Sequence, residues 1–74
     1  MKIEMNSATG GQYTIFQKGE NFFYADRSFV PYTGIETMIF PCDEEGTVTD
    51  WTELYCDRSG KSLESCVKEF LNFE

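Results

Sequence analysis

Between Tyr13 and Ala25 the chain is dense in aromatic and β-branched residues, broken only around Gly19-Glu20. Two such runs separated by a Gly-X pair predict a β-hairpin, Tyr13 to Lys18 and Asn21 to Ala25. A two-residue type II′ turn needs positive φ at its first central position, which Gly19 supplies. That turn sets Lys18 opposite Asn21, Phe16 opposite Phe23 and Ile15 opposite Tyr24. Side chains alternate across a strand, so one face carries Tyr13, Ile15, Phe22 and Tyr24 and the other Phe16, Phe23 and Ala25. Both faces are apolar, whereas a half-buried sheet is apolar on one side only. Either something covers each face, or one aromatic face is open to a partner.

The flanking segments read more simply. Ile3 and Met5 alternate with Lys2 and Glu4, a short first strand ending at Asn6-Ser7, and Thr9-Gly10-Gly11 supplies a turn. Phe29 to Gly34 reads as a connection in which Pro31 interrupts pairing. Ile35 to Phe40 is the next strand, closed by Pro41, and Asp43-Glu44-Glu45-Gly46 is an acidic turn. Residues 47–57 are ambiguous. Asp50 and Glu53 can cap one helical turn ahead of a strand at Leu54-Tyr55-Cys56, or the whole segment is one bent strand. Ser59-Gly60 ends the sheet region. Leu63, Cys66, Val67, Phe70 and Leu71 then follow the i, i+3, i+4, i+7, i+8 spacing of one helical face, with Ser62 as N-cap and a helix over 62–72. The expected architecture is α+β: an antiparallel sheet of four to five strands with one C-terminal helix packed on one face. One helix leaves the second apolar face uncovered, a candidate interaction surface presenting Tyr13, Phe22 and Tyr24.

The 74 residues make a single domain, and a hydrophobic fraction of 41% with 16% aromatics is enough for a core. There is no histidine, which removes Ser-His, Cys-His and most zinc arrangements. No apolar run approaches the roughly 18 residues of a membrane span, and the polar start (Lys2, Glu4, Asn6) is not that of a signal peptide. The formal charge of −7 excludes ordinary phosphate-backbone binding. It is unevenly placed: residues 1–34 hold three bases and three acids, residues 35–74 three bases and ten acids. The bland explanation is a solvated surface that keeps a small domain dispersed. The sharper one is an acidic face for a basic partner, formed by Glu36, Asp43, Glu44, Glu45, Asp50, Glu53 and Asp57.

Candidate chemistry is sparse. Cys42, Cys56 and Cys66 form no C-x-x-C motif, so neither a thioredoxin-like nor a zinc-knuckle site is expected. Their odd number favours free thiols, with a Cys56–Cys66 bridge the one pairing worth weighing. The carboxylates around Gly46 lack the alternating ligand spacing of a calcium loop. The hairpin aromatics have too few nearby cations for base stacking on nucleic acid. No catalytic residue, metal or cofactor is expected, and the chain reads as a binding protein rather than an enzyme.

One stretch carries a resemblance. Glu36-Thr37-Met38-Ile39-Phe40, then Gly46 through Arg58, then a short amphipathic helix, resembles small uncharacterised proteins of bacterial phages and conjugative elements, over roughly residues 35–70. The resemblance implies a mobile-element origin and a bacterial cytoplasmic setting, and brings no functional residues with it. Two functions compete on these grounds. One is an inhibitor that offers carboxylates where a basic nucleic-acid-binding host protein expects phosphates. The other is an accessory module, for example a homodimer, that self-associates through the uncovered aromatic face.

Overall fold

The computed structural model describes residues 3–6 and 11–72, with the side chains of Met5 and Asn6 excepted. The expected contribution of Lys2 to the first strand and the turn at Thr9-Gly10 lie outside these residues. Five strands, β1 (Glu4–Asn6), β2 (Gly11–Lys18), β3 (Asn21–Val30), β4 (Gly34–Cys42) and β5 (Tyr55–Asp57), precede one helix, α1 (Leu63–Asn72). The sheet order β1-β2-β3-β4-β5 follows the chain, and every neighbouring pair is antiparallel. The fold is α+β, as the hydrophobic pattern predicts.

The central hairpin has the expected register, with Lys18 opposite Asn21, Phe16 opposite Phe23 and Ile15 opposite Tyr24. Gly19 sits at φ 64° while Glu20 has no positive φ, the combination that distinguishes a type II′ turn from type I′.

Several boundaries differ from expectation, and Gly11, expected in the turn, is the first residue of β2. Strand β3 does not stop at Ala25 but runs to Val30, so half of the expected 29–34 connection is strand, and only Pro31, Tyr32 and Thr33 form the turn. Strand β4 likewise continues through Pro41 to Cys42. A proline is tolerated in a strand where its missing N–H is not needed by the neighbour. The carbonyls of Ile39 and Pro41 accept from Leu54 and Thr49, at 2.9 and 3.1 Å, so both residues turn their polar groups away from β3. The Pro41 nitrogen therefore costs the β3–β4 ladder nothing.

The helix begins where its cap predicts. The Ser65 amide donates to Ser62 Oγ at 3.2 Å, satisfying one of the otherwise orphaned first-turn N–H groups. Leu63, Cys66 and Val67 are buried, and with Ala25 and Ile39 they form the centre of the core. Around it pack Ile3, Phe16, Phe23, Tyr55, Phe70 and Leu71. Phe70 meets three rings edge-on, those of Phe16, Phe23 and Tyr55, at centroid distances of 5.8, 5.1 and 6.3 Å. Arg27, on the same face, donates from Nε to the Lys61 carbonyl at 3.0 Å and so anchors the chain entering the helix.

The opposite face is covered only in part: Phe40 is buried there, while Ile15 stays 43% exposed. Residues 43–54 are neither a helical turn nor one bent strand. They form an irregular loop laid back over that face, touching the sheet by an isolated bridge between Cys42 and Val48. The Trp51 ring stands edge-on to Phe40 at 5.2 Å, and Gly46 lies against the Ile15 side chain. Asp50, expected to cap a helical turn, instead accepts from the Thr52 amide at 3.0 Å and the Thr52 hydroxyl at 2.8 Å, closing a local turn.

Two stability predictions follow from these two covers. Phe70→Ala should destabilise the fold by about 3 kcal/mol, the low end for a phenylalanine because the ring is only partly buried. A chemical-denaturation midpoint unchanged by the substitution would show that the helix is not held by this ring. Gly46→Ala should cost about 2 kcal/mol, since φ is 90° there and a Cβ would strike the Ile15 side chain. In a double-mutant cycle, Ile15→Ala should recover the steric share of that loss and leave the backbone share.

Candidate functional site

Strand pairing divides the acidic residues by face. Directly opposed residues point to the same side of a sheet, so Glu36, opposite Ser28, belongs to the face under the loop. Asp57, opposite Thr37, belongs to the face under the helix. Asp43, Glu44 and Glu45 lie beyond the end of β4. The seven carboxylates of the expected acidic face therefore do not share one surface.

Several of them are engaged in holding the chain. Glu36 is buried, and its Oε2 accepts from Arg58 Nε at 2.6 Å. This pair follows from the register of β5, in which Arg58 follows Asp57 along β4 towards Glu36. Glu53 acts electrostatically on the same Arg58, so the cation stands where two carboxylates would otherwise repel. Asp57 accepts from the Ser59 hydroxyl at 2.9 Å and pairs with Lys61 at 3.8 Å. Lys61 also reaches Glu69, tying the helix to the strand end, and that hydrogen bond holds the Glu69 carboxyl below its ordinary range. Asp43 Oδ1 accepts the amides of Glu45 and Thr47, both at 2.9 Å, the bonding that makes Asp a turn residue. Glu44, Glu45 and Glu53 are exposed.

The aromatic candidates share the loop-side face. Tyr13 and Tyr24 stack at 5.7 Å, and the Tyr13 hydroxyl donates to Glu4 at 2.8 Å. This bond with the carboxylate raises the Tyr13 hydroxyl above its usual range, while burial raises that of Tyr24. Phe22 stands apart from them at the start of β3, opposite Cys42.

There the two kinds of candidate meet. A groove of about 600 Å³ lies at the hairpin end of the sheet, where β3 begins and β4 ends. Phe22 and Cys42 line it from the loop-side face, Phe23 and Pro41 from the helix-side face, and Glu20, Asp43 and Glu44 supply its carboxylates. Sequence reasoning singled out Phe22, Asp43 and Glu44 but missed Glu20. Its position at the hairpin turn was legible, but its closeness to Glu44 depends on β4 running antiparallel to β3 as far as Cys42.

Cys42 and Cys56 are poor nucleophiles. Burial, reinforced by Asp43, raises the Cys42 thiol, and burial with Glu36 raises that of Cys56, so little thiolate forms at neutral pH. The weighed Cys56–Cys66 bridge is excluded by geometry. Cys56 opposes Met38 on the loop-side face, whereas Cys66 lies buried in the helix with its sulfur 3.8 Å from Asp57. All three cysteines are free. No group of metal-ligating residues forms a cation site, and no helix is long and apolar enough to cross a membrane, among the described residues.

Asp26 is a feature that the sequence did not flag. It opposes Tyr13 and Met38 on the loop-side face, and its Oδ1 is buried without a hydrogen-bond partner. Desolvation raises its carboxyl above the ordinary range. A carboxyl raised by folding favours the folded state when protonated and opposes it when ionised. Asp26→Asn should therefore raise the melting temperature at pH 7. The gain should shrink as pH falls through the raised folded value and vanish below the ordinary aspartate value near ~3.9. An equal gain at every pH would mean that ionisation of Asp26 is not the cause.

No family model, no curated protein and no solved structure matches this chain.

Proposed function

We propose that this chain is a small, non-catalytic binding module that takes a basic protein partner at the hairpin end of its sheet. The observation that carries the reading is a separation of charge. Arg58, Lys61 and Lys68 are committed to ion pairs with Glu36, with Asp57 and Glu69, and with Glu64. Arg27 is held by backbone carbonyls. Glu20, Glu44 and Glu45, by contrast, have no ion-pair partner among the described residues, and no cation lines the groove beside them. Uncompensated carboxylates around an apolar floor attract and orient a cationic surface.

The specific form of the reading is charge mimicry, with a basic nucleic-acid-binding protein of a bacterial host as partner. The bacterial cytoplasmic setting of this reading is what the resemblance of residues 35–70 to phage and conjugative-element proteins implies. Self-association through Tyr13, Phe22 and Tyr24 has less support, because the 43–54 loop covers part of that same face, with Trp51 on Phe40 and Gly46 beside Ile15.

The test is to replace Glu20, Glu44 and Glu45 together with Lys, sparing Asp43 and Asp50, which hold turns. The triple variant should melt no lower than the parent chain. Immobilised parent should retain from nuclease-treated bacterial lysate proteins of pI above about 9 that added salt and duplex DNA release. The variant should not retain them. Retention by both, or release by salt without competition from DNA, would remove phosphate mimicry as the mode of binding.

A further inference from the structure

We infer that the groove at the hairpin end receives a single arginine side chain of the partner, its guanidinium against the Phe22 ring and between the carboxylates of Glu20 and Glu44. This rests on the basic-partner reading and narrows it from a surface to a pocket. Three properties of the groove select this occupant. Its lining is divided: on the loop-side face Phe22, with Cys42 opposite it, offers apolar contact, and Glu20, Asp43 and Glu44 offer charge. A long side chain with an apolar stem and a cationic head matches both parts at once. Its volume of about 600 Å³ exceeds one side chain and admits the adjoining peptide as well.

Arginine fits better than lysine on geometric grounds. A guanidinium is planar, stacks on an aromatic face, and presents several donors in a fixed fork to carboxylates on either side. An ammonium is a compact, strongly hydrated charge that gains less from a ring wall. The groove is also held in place before any ligand arrives. Asp43 fixes the turn carrying Glu44 through two backbone amides, Thr49 is tied to Pro41, and the Gly19-Glu20 turn is fixed by the hairpin register. A site already ordered loses little freedom on binding.

The probes are the blocked pentapeptides Gly-Gly-Arg-Gly-Gly, its lysine and citrulline counterparts, and hexa-arginine, each titrated into the ¹⁵N-labelled chain and followed by amide shifts. The arginine pentapeptide should move the amides of 20–23, 42–44 and 49 saturably. It should bind more tightly than the lysine peptide and much more tightly than the uncharged citrulline one. Glu20→Gln with Glu44→Gln should weaken it roughly fivefold. Phe22→Leu should abolish the preference for arginine over lysine while leaving the amide spectrum folded. Shifts centred elsewhere, or equal binding of arginine and citrulline peptides, would overturn the pocket. Hexa-arginine separates the two levels: saturable binding away from the groove leaves a basic partner and removes the pocket, and no binding at all removes both.

Discussion

A sheet with large apolar side chains on both faces must be covered twice, and this chain has one helix of ten residues to do it. The rest of the structure answers that constraint. On one side the answer is conventional, with Leu63 and Val67 packed in one cluster with Ala25 and Ile39 and the Phe70 ring closing the edge. On the other side the cover is twelve residues of loop, 43–54, with no regular structure of their own apart from one bridge. A loop can serve as a cover only if its backbone polar groups are satisfied. Asp43, Asp50 and the carbonyls of Ile39 and Pro41 do much of that here.

The acidity of the second half then acquires two meanings. Asp43, Asp50 and Asp57 are chosen for what a short carboxylate does to nearby amides and hydroxyls, and Glu36 for its pairing with Arg58. These residues contribute charge as a by-product of shaping the chain. Glu44 and Glu45 have no such structural employment, and neither does Glu20 across the groove. The distinction matters for interpreting any charge-reversal experiment. Replacing an aspartate here disturbs a turn, whereas replacing one of these three glutamates changes the field and little else.

Much of this was legible in the amino-acid order. Local chemistry with a short reach was read correctly: the Gly19-Glu20 turn and its register, the two-faced hairpin, and the capped helix with its apolar stripe. What escaped was set by partners distant in sequence. Pro41 reads as a stop, and only the position of Thr49 and Leu54 beside β4 shows why it is tolerated. Glu36 reads as a surface acid until β5 delivers Arg58 opposite it. Asp50 and Glu53 match a helical cap by spacing, but covering Phe40 with Trp51 favours an irregular path. The groove was half visible, since Phe22, Asp43 and Glu44 were candidates for separate reasons and nothing local joined them.

The turn between β3 and β4 has a different consequence. The Thr33 amide donates to the Val30 carbonyl at 3.2 Å, with Pro31 and Tyr32 between them, and Tyr32 takes φ 71°. This is the third position of a type II turn, where glycine or asparagine is the comfortable choice. The tyrosine is fully exposed, so no contact within the chain repays its backbone strain. Phe29 and Ile35, opposed on the strands just behind it, are exposed as well. The tip of this hairpin is therefore a place where the sequence departs from what folding alone would select. Glycine at position 32 should make the domain firmer, and if that gain came with a lost activity, the strain would be revealed as something selection had kept.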